Sequence, residues 1–467
     1  MDIQGFLIEV RNISPAIRIL DREEDRLIYS HGAYPLEYKW ILQGKYPYTP
    51  SAIIIPNSTD AISQVVRLAD QYQVGIIPFG GGSGIVGGTK ADNGQVMIDT
   101  KLLRNFSINH KNCTVTVGAG WTGAELENEL NHYGYTAGHY PQSFQSAVIG
   151  GMVATRAIGT FSTKYGKMDD IVTSLEVVLP DGEILQTHRA PKRSTGPELM
   201  ELFLGSEGVF GIITKAEMKI YPKPEKRLFE AFTFPSTSDG LEAIRNILRK
   251  GVNPAVVRLY DEVEAEHRIE LMGLEKGQAL LYLGYEGFSE MVDLEQKMSK
   301  QICLAHGAIY HGPEPGENWF KSRFSTKKMQ DYDAMRGGTA DAIEVAAPWD
   351  CIETVWRSMR ESLKSMTEVV DCHFSHVYHS GASVYVIFHA NTGKDDVEGA
   401  KRYEQCLRTA IATSIANGGN VSHHHGVGTA KADFLVGEHG EVGMKVMRKI
   451  KQALDPKGLM NKGVLGL

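Results

Sequence analysis

The chain has 467 residues, 42% apolar and 22% charged, enough to build buried cores in two or three domains of about 150 residues each. Its 49 Lys and Arg against 56 Asp and Glu give a formal net charge of -7, so nothing in the global charge favours nucleic acid or an anionic membrane as partner. Five scattered cysteines without a C-x-x-C argue against a disulfide framework or a zinc knuckle and fit a reducing cytoplasm. The first residues show neither a basic n-region nor an apolar core, and no stretch reaches the ~20 apolar residues of a spanning helix. A cytoplasmic protein, at most peripheral to a membrane, is the expectation. Glycine is the one excess: 49 residues, about 10% against roughly 7% on average.

In chain order, residues 1–45 read as an N-terminal helical segment. Ala52-Ile-Ile-Ile55 is a buried-type strand, Asn57-Ser-Thr caps an amphipathic helix carrying Ile62, Val65, Val66, Leu68 and Ala69, and Gly75-Ile-Ile77 is a second strand. This βαβ unit predicts a parallel pair, with the next segment at the carboxyl edge of the sheet, where ligands commonly bind. That segment, Pro78-Phe-Gly-Gly-Gly-Ser-Gly-Ile-Val-Gly-Gly88, has six glycines in eleven residues. Without Cβ atoms its N–H groups can turn inward around a phosphate, so Pro78, Gly80, Gly81, Gly82, Ser83 and Gly84 are candidate pyrophosphate contacts.

Gly118-Ala-Gly-Trp-Thr-Gly123 matches the dinucleotide fingerprint G-x-G-x-x-G. The acidic residue that the fingerprint needs about 20 positions on is missing, so we read the run as a strand-to-helix turn. Tyr140-Pro-Gln-Ser-Phe-Gln-Ser-Ala-Val-Ile-Gly-Gly151 joins hydroxyls and amides to a Gly-Gly pair, a combination able to receive a planar polar ring. The strand Leu175-Glu-Val-Val-Leu179 follows, and Gly205-Ser-Glu-Gly-Val-Phe-Gly211 precedes the strand Ile212-Ile-Thr214. Tyr221-Pro-Lys-Pro-Glu-Lys-Arg227 reads as a stiff, charged connector and the main domain boundary. Beyond it the alternating stretches Phe229–Phe234, Ala279–Leu283 and Ser383–Phe388 interleave with helices as a mixed α+β domain.

Three residue sets carry chemistry in this second half. Arg258 is a guanidinium inside an apolar strand; it needs an anionic substrate group or an internal acid such as Asp261 or Glu262. Tyr385 shares a strand face with Ile387, where a core aromatic is the plain reading of the residues alone. His423, His424 and His425 follow the breaker cluster Asn417-Gly-Gly-Asn420 on a loop, and imidazole can move protons near neutral pH.

The glycine elements together with Gly138-His-Tyr-Pro-Gln-Ser143, Gly150-Gly-Met-Val-Ala-Thr-Arg-Ala157, Arg193-Ser-Thr-Gly-Pro197, Val257-Arg-Leu-Tyr-Asp261, Ala347-Pro-Trp-Asp350, Ser422-His-His-His-Gly-Val-Gly428 and Leu454-Asp-Pro-Lys-Gly-Leu-Met-Asn461 resemble the vanillyl-alcohol oxidase/PCMH-type FAD-binding flavoprotein family, most of all its alkyldihydroxyacetonephosphate synthase branch. The resemblance implies an α+β protein: a two-subdomain PCMH-type FAD-binding domain at 46–224, an inserted α+β cap at 225–420, and a C-terminal segment, 421–467, returning to the FAD domain. It implies noncovalent FAD, since the glycine loop has no histidine to attach it. The flavin ring region would be held by Pro141, Ser143, Gly150, Gly151, Thr155, Glu207, Gly208 and Ile213. Arg258, Tyr385, His423, His424 and His425 become the catalytic set, with His425 as base or phosphate contact.

The implied reaction exchanges the acyl group of acyl-dihydroxyacetone phosphate for a long-chain alcohol through a flavin N5 adduct, in ether-lipid synthesis. A small lipid-type substrate, a homodimer and no resident metal are expected. The absence of the long extension of eukaryotic relatives suggests a bacterial or archaeal setting. The alternative is a D-2-hydroxyacid dehydrogenase. That branch carries His-x-Gly-Asp-Gly-Asn-x-His and Gly-Glu-His-Gly around a divalent metal. Here His376-Val-Tyr-His-Ser-Gly-Ala-Ser-Val-Tyr385 lacks the Asp-Gly-Asn, and His424 replaces the glutamate; His376, His379 and His424 remain possible ligands. Gly437-Glu-His-Gly440 reads as a coincidental match preceding a helix with Val442, Val446, Met447 and Ile450. One position departs from the synthase pattern: Met329-Gln330-Asp331, flanked by Lys327, Lys328 and Arg336, puts Gln330 where relatives carry an anion-binding arginine.

Overall fold

The computed structural model describes residues 2–324, 338–393 and 396–467. Gln330 and its charged neighbours lie outside them. The chain falls into two compact units: Met1–Ile158, Lys167–Pro222 and His424–Leu467 in the first, Gly159–Gly166 and Lys223–His423 in the second.

The first unit has two main sheets. One is built from β1 (Arg18–Leu20), β2 (Ala52–Ile55), β3 (Gly75–Phe79) and β4 (Gln95–Asp99) in the order β1-β2-β4-β3. The expected parallel strands β2 and β3 are present, but they do not touch: both pair in parallel with β4, which inserts between them. Thr59–Tyr72 links them as a helix. Ser58 accepts from the Ala61 N–H at 3.2 Å, and Ala61, Ile62, Val65, Val66 and Ala69 are buried against the sheet with Phe6, Leu7 and Val10 of the helix Ile3–Ile13.

The other sheet comprises β5 (Phe106–Asn109), β6 (Thr114–Gly118), β8 (Val172–Val178), β9 (Ile184–Gln186) and β10 (Ile212–Lys219), ordered β5-β6-β10-β8-β9 and antiparallel throughout. Two short strands, β7 (Tyr135–Thr136) and β11 (Tyr221–Pro222), pair with each other. Half of the expected connector is therefore strand, and only residues 223–225 separate β11 from β12 (Lys226–Phe234).

The Gly118–Gly123 run is a turn between β6 and the helix Gly123–His132, whose start carries a Thr122/Glu125 capping box. A Cβ on Gly118 or Gly120 would lie 2.3 Å from the Leu103 carbonyl oxygen or 2.5 Å from that of Lys101. Close backbone packing accounts for both glycines. The Gly437–Gly440 string ends a short helical stretch that begins at Leu435; Gly440 (φ 67°, ψ 167°) is non-helical, and the helix carrying Val442, Val446, Met447 and Ile450 starts just after it, as expected. The chain end then returns to β3: Ile76 donates to the Leu459 carbonyl (2.8 Å) and Asn461 to that of Ile76 (2.9 Å). Lys451, buried, donates to the Val209 and Met460 carbonyls and to Asp455, tying this return to the turn before β10.

The second unit is one antiparallel sheet of β12, β13 (Val256–Tyr260), β14 (Ala279–Gly287), β15 (Ile309–Tyr310), β16 (Thr339–Pro348), β17 (Val369–Tyr378) and β18 (Gly381–Ala390), in the order β15-β12-β14-β13-β17-β18-β16. The helices Thr237–Arg249, Ser289–Ala305, Ile352–Leu363 and Asp396–Ala416 cover one face, where Gly240 meets Leu259, Trp356 packs on Phe374 and Tyr403 on Phe388. On the other face the helix Glu262–Leu271 packs Ala265 and Ile269 against Tyr260, Leu280 and Tyr282.

Candidate functional site

In the first unit the sequence's glycine elements converge. The Gly80–Gly88 loop leaves the carboxyl end of β3 and lies back against the 143–151 segment: a Cβ on Gly80 would sit 2.5 Å from Val148, and one on Gly81 only 2.0 Å from the Ser146 carbonyl oxygen. Gly82 takes φ 62°, a left-handed value that favours glycine. On the open side nothing lies within 4 Å of a Cβ at Gly84, and Gly151 meets only Val148 at 3.9 Å. Gly208 packs on Pro78. Gly150, buried, donates to the Ala119 carbonyl at 2.9 Å; Thr155 Oγ1 donates to Gly151; Pro141 and Ile213 are buried and Ser143 half-buried.

The Glu207 side chain has a different place from the one expected. Its oxygens accept from the Val427 (2.7 Å) and Gly428 (2.9 Å) N–H groups, while its own carbonyl accepts from Asn461 Nδ2 at 2.6 Å. Burial pushes the carboxyl up to about 7 against the pull of those two N–H groups. Glu207 thus clamps the segment after the histidine triplet beside the glycine loop, where Thr429 and Ala430 both donate to the Val86 carbonyl.

His139, unremarked in sequence except as part of a motif, is 4% exposed, and both of its ring nitrogens lack a hydrogen-bond partner among the described residues. Burial lowers it to about 3, so it is neutral. Trp121 Nε1 is also buried and unpaired. Glycines closed on one side and open on the other, in the same unit as buried, unpaired ring nitrogens of His139 and Trp121, fit an extended phosphate-bearing cofactor with a planar ring.

In the second unit the chemistry is carried by side chains on the sheet face that the Glu262–Leu271 helix only partly covers. Cross-strand register sets Tyr260, His373, Tyr385 and Glu344 side by side on β13, β17, β18 and β16. The His373 and Tyr385 rings stack at 4.6 Å and 19°. Arg258, two residues before Tyr260, shares this face. It makes no ion pair with Asp261 or Glu262: its Nε donates to Tyr260 Oη at 2.8 Å, Asp261 caps the helix and meets Arg360, and Glu262 accepts from Thr237.

A β-bulge completes the set. Between Phe374 and Val377 the register slips, so Ser375 and His376 together face Ser383. Residues three apart on a regular strand point to opposite faces; the extra residue turns His376 to the side of His373. Its ring lies 6.3 Å from Tyr385 and stacks at 5.6 Å on His423. His376 Nδ1 shares a hydrogen bond with Ser162 Oγ (2.9 Å), and His423 Nε2 one with Tyr378 Oη (2.7 Å). Tyr385 and His423 are therefore brought into one cluster with Arg258. His424 and His425 pack on each other at 4.4 Å in the first unit. Among the described residues no group of three or more His, Cys, Asp or Glu could hold a metal ion.

The protonation states follow from burial and neighbours. Burial, with help from Glu344, pushes the Tyr385 phenol far above its usual range, while Arg258 opposes; the hydroxyl is protonated at neutral pH. Burial and then Arg258 hold His373 down to about 4. Burial works against the charge of Glu264, but the hydrogen bond with His373 (2.7 Å) and the charges of Arg268 and Arg258 outweigh it, and the carboxyl lies below its usual range. The face can present the Arg258 guanidinium, the protonated Tyr385 phenol and the neutral His373 imidazole beside His376 and His423: an anion contact next to groups able to give and take a proton.

A family model described as FAD linked oxidases, C-terminal domain, matches residues 223–465, and one described as FAD binding domain matches residues 50–188. An alkyldihydroxyacetonephosphate synthase of Caenorhabditis elegans is 30% identical over 93% of this chain and 79% of its own length. A mitochondrial D-lactate dehydrogenase (cytochrome) of Arabidopsis thaliana is 28% identical over 89% of the chain and 73% of its length. A solved structure of alkyldihydroxyacetonephosphate synthase superposes with a TM-score of 0.82, covering 99% of this chain and 86% of that one at 24% identity, a likeness of fold.

Proposed function

The chain belongs to the FAD-linked oxidase family, as an alkyldihydroxyacetonephosphate synthase-like member of its vanillyl-alcohol oxidase/PCMH-type branch with FAD as cofactor, and from that premise we propose that it exchanges the acyl group of acyl-dihydroxyacetone phosphate for a long-chain alcohol. The observation that carries this reading is Arg258: a guanidinium that hydrogen-bonds Tyr260 and makes no close ion pair with Asp261 or Glu262, set on the same face as a protonated tyrosine. A phosphate ester fits such a contact.

Gly80, Gly81, Gly82, Ser83 and Gly84 with Pro78 would hold the FAD pyrophosphate, and Pro141, Ser143, Gly150, Gly151, Thr155, Gly208, Ile213 and His139 its ring region. FAD, when bound, supplies the electron-donating ring chemistry that lets one oxygen substituent leave the substrate carbon before the other arrives. The protein's residues do the rest. Arg258 binds the phosphate, and Tyr385 Oη and the His376–His423 pair hold and move the protons. The carbon–oxygen bond to the acyl group breaks and the fatty acid leaves; the alcohol oxygen forms the new bond and gives up its proton, with no net oxidation.

FAD-loaded protein mixed without oxygen with acyl-dihydroxyacetone phosphate should lose its yellow absorbance and regain it when a long-chain alcohol is added. Full bleaching by D-lactate or glycolate alone would contradict the proposal and favour the dehydrogenase. A cytoplasmic homodimer working at a membrane surface is part of the same proposal; no helix among the described residues is long and apolar enough to cross a membrane.

A further inference from the structure

We propose that Glu344 is a positioning residue for Tyr385: a buried carboxylate that pins the Ser422–His423 segment and sets a negative charge beside the phenol. The inference rests on the reading of Tyr385 as the proton-transferring group. Glu344 is 0% exposed and lies directly across from Tyr385 on the neighbouring strand, where opposed Cβ atoms are about 5 Å apart. Ser422 Oγ donates to its Oε1 at 2.5 Å. The next residue, His423, stacks on His376, and the His376 ring neighbours Tyr385. The contacts close a circuit: Glu344 to Ser422, along the chain to His423, across to His376, on to Tyr385 and back over the strand pair to Glu344.

A buried carboxylate is costly where an apolar side chain would fill the same space. Here it does two things that an apolar side chain cannot. It accepts the serine hydroxyl that fixes where the histidine segment begins, and it opposes loss of the Tyr385 proton, against the pull of Arg258. The other charged or titratable groups around the phenol are His373 and His376 from β17, with Glu264 and Arg268 behind His373 from the helix Glu262–Leu271. His423 comes from the triplet, and the Asp371–His389 pair lies further along the same face. Of the carboxylates among these, Glu344 is the one directly opposite Tyr385 in the ladder.

The test is the titration of Tyr385 itself, read by carbon-13 NMR of tyrosine labelled at Cζ in FAD-loaded protein, with Tyr385→Phe to assign the signal. In the wild type the phenol should remain protonated through pH 11. In Glu344→Gln, which keeps the shape and the Ser422 contact but not the charge, the phenol should begin to ionise at a lower pH than in the wild type. A phenol as resistant to ionisation in Glu344→Gln as in the wild type overturns the proposal. Should the glutamine variant fail to load FAD, Glu344→Met removes the charge at similar volume and is read the same way. Ser422→Ala tests the pin: kcat should fall roughly tenfold with KM little changed while the Tyr385 midpoint holds, and an unchanged kcat overturns that half. Because the titration uses no substrate, failure of the wild type to turn over the acyl ester would count against the proposed function and leave the Glu344 measurement standing.

Discussion

The proposed cofactor cradle of the first unit is made by leaving side chains out; the polar face of the second is made by lining them up. In the cradle, Gly80 and Gly81 let one backbone segment lie on another, and His139 is buried with unpaired ring nitrogens. On the sheet face, Arg258, His373, His376, Tyr385 and Glu344 are aligned by strand register and one bulge. A site of the first kind is lost when an atom is added, and one of the second when a single functional group is taken away.

The largest contrast should come from Gly81→Ala. Its Cβ would meet the Ser146 carbonyl oxygen at 2.0 Å, and the facing atoms are all backbone with nothing flexible to yield, so the purified variant should carry essentially no FAD, measured by the ratio of absorbance at about 450 and 280 nm. Gly84→Ala, with open space around the new methyl, should keep the melting temperature and lose only FAD affinity. Tyr385→Phe should do the reverse of Gly81→Ala. It keeps the ring stacked on His373 and should give yellow, FAD-loaded protein with turnover down roughly 10²–10⁴-fold; loss of FAD instead would make the tyrosine structural.

The smallest effect is on acid stability and should divide between the two units. His139 and His373 are held down to about 3 and about 4, so below about pH 6.5 the unfolded chain binds protons that the folded one does not. Their contribution is therefore whole above that pH and is lost as the pH falls, by up to about 1.4 kcal/mol per pH unit for each. His139→Phe should flatten the pH dependence of melting of the first unit between about pH 6.5 and 5, and His373→Phe that of the second.

The same contrast explains what could be read from the sequence. Glycine clusters have no other local use after a buried strand, so the loop at 80–88 and the pair at 150–151 stood out. The insertion of β4 between β2 and β3 did not, because a parallel partner arrives by a crossover whose length does not fix its place in the sheet. Glu207 was seen as part of a turn but not as a clamp, since its partners, Val427 and Gly428, are distant in sequence. On the sheet face Tyr385 and Arg258 were visible as polar residues in apolar strands. His373 was not, and His376 was read only as a possible metal ligand, because a spacing of three on a strand means opposite faces unless a bulge intervenes, and nothing in the sequence marks the bulge. Glu264 carries no sequence signal of its role, since its partner His373 is 109 residues away.

The central proposal is that the chain, loaded with FAD and using Arg258 and Tyr385 as its anion and proton contacts, exchanges one oxygen substituent for another without net oxidation. Counting turnovers in the strict absence of oxygen and of any electron acceptor tests it most directly. With acyl-dihydroxyacetone phosphate and a long-chain alcohol, the account predicts many ether products per flavin and oxidised FAD at the end. Product formation that stops at one equivalent per flavin, with the cofactor left reduced, would contradict it.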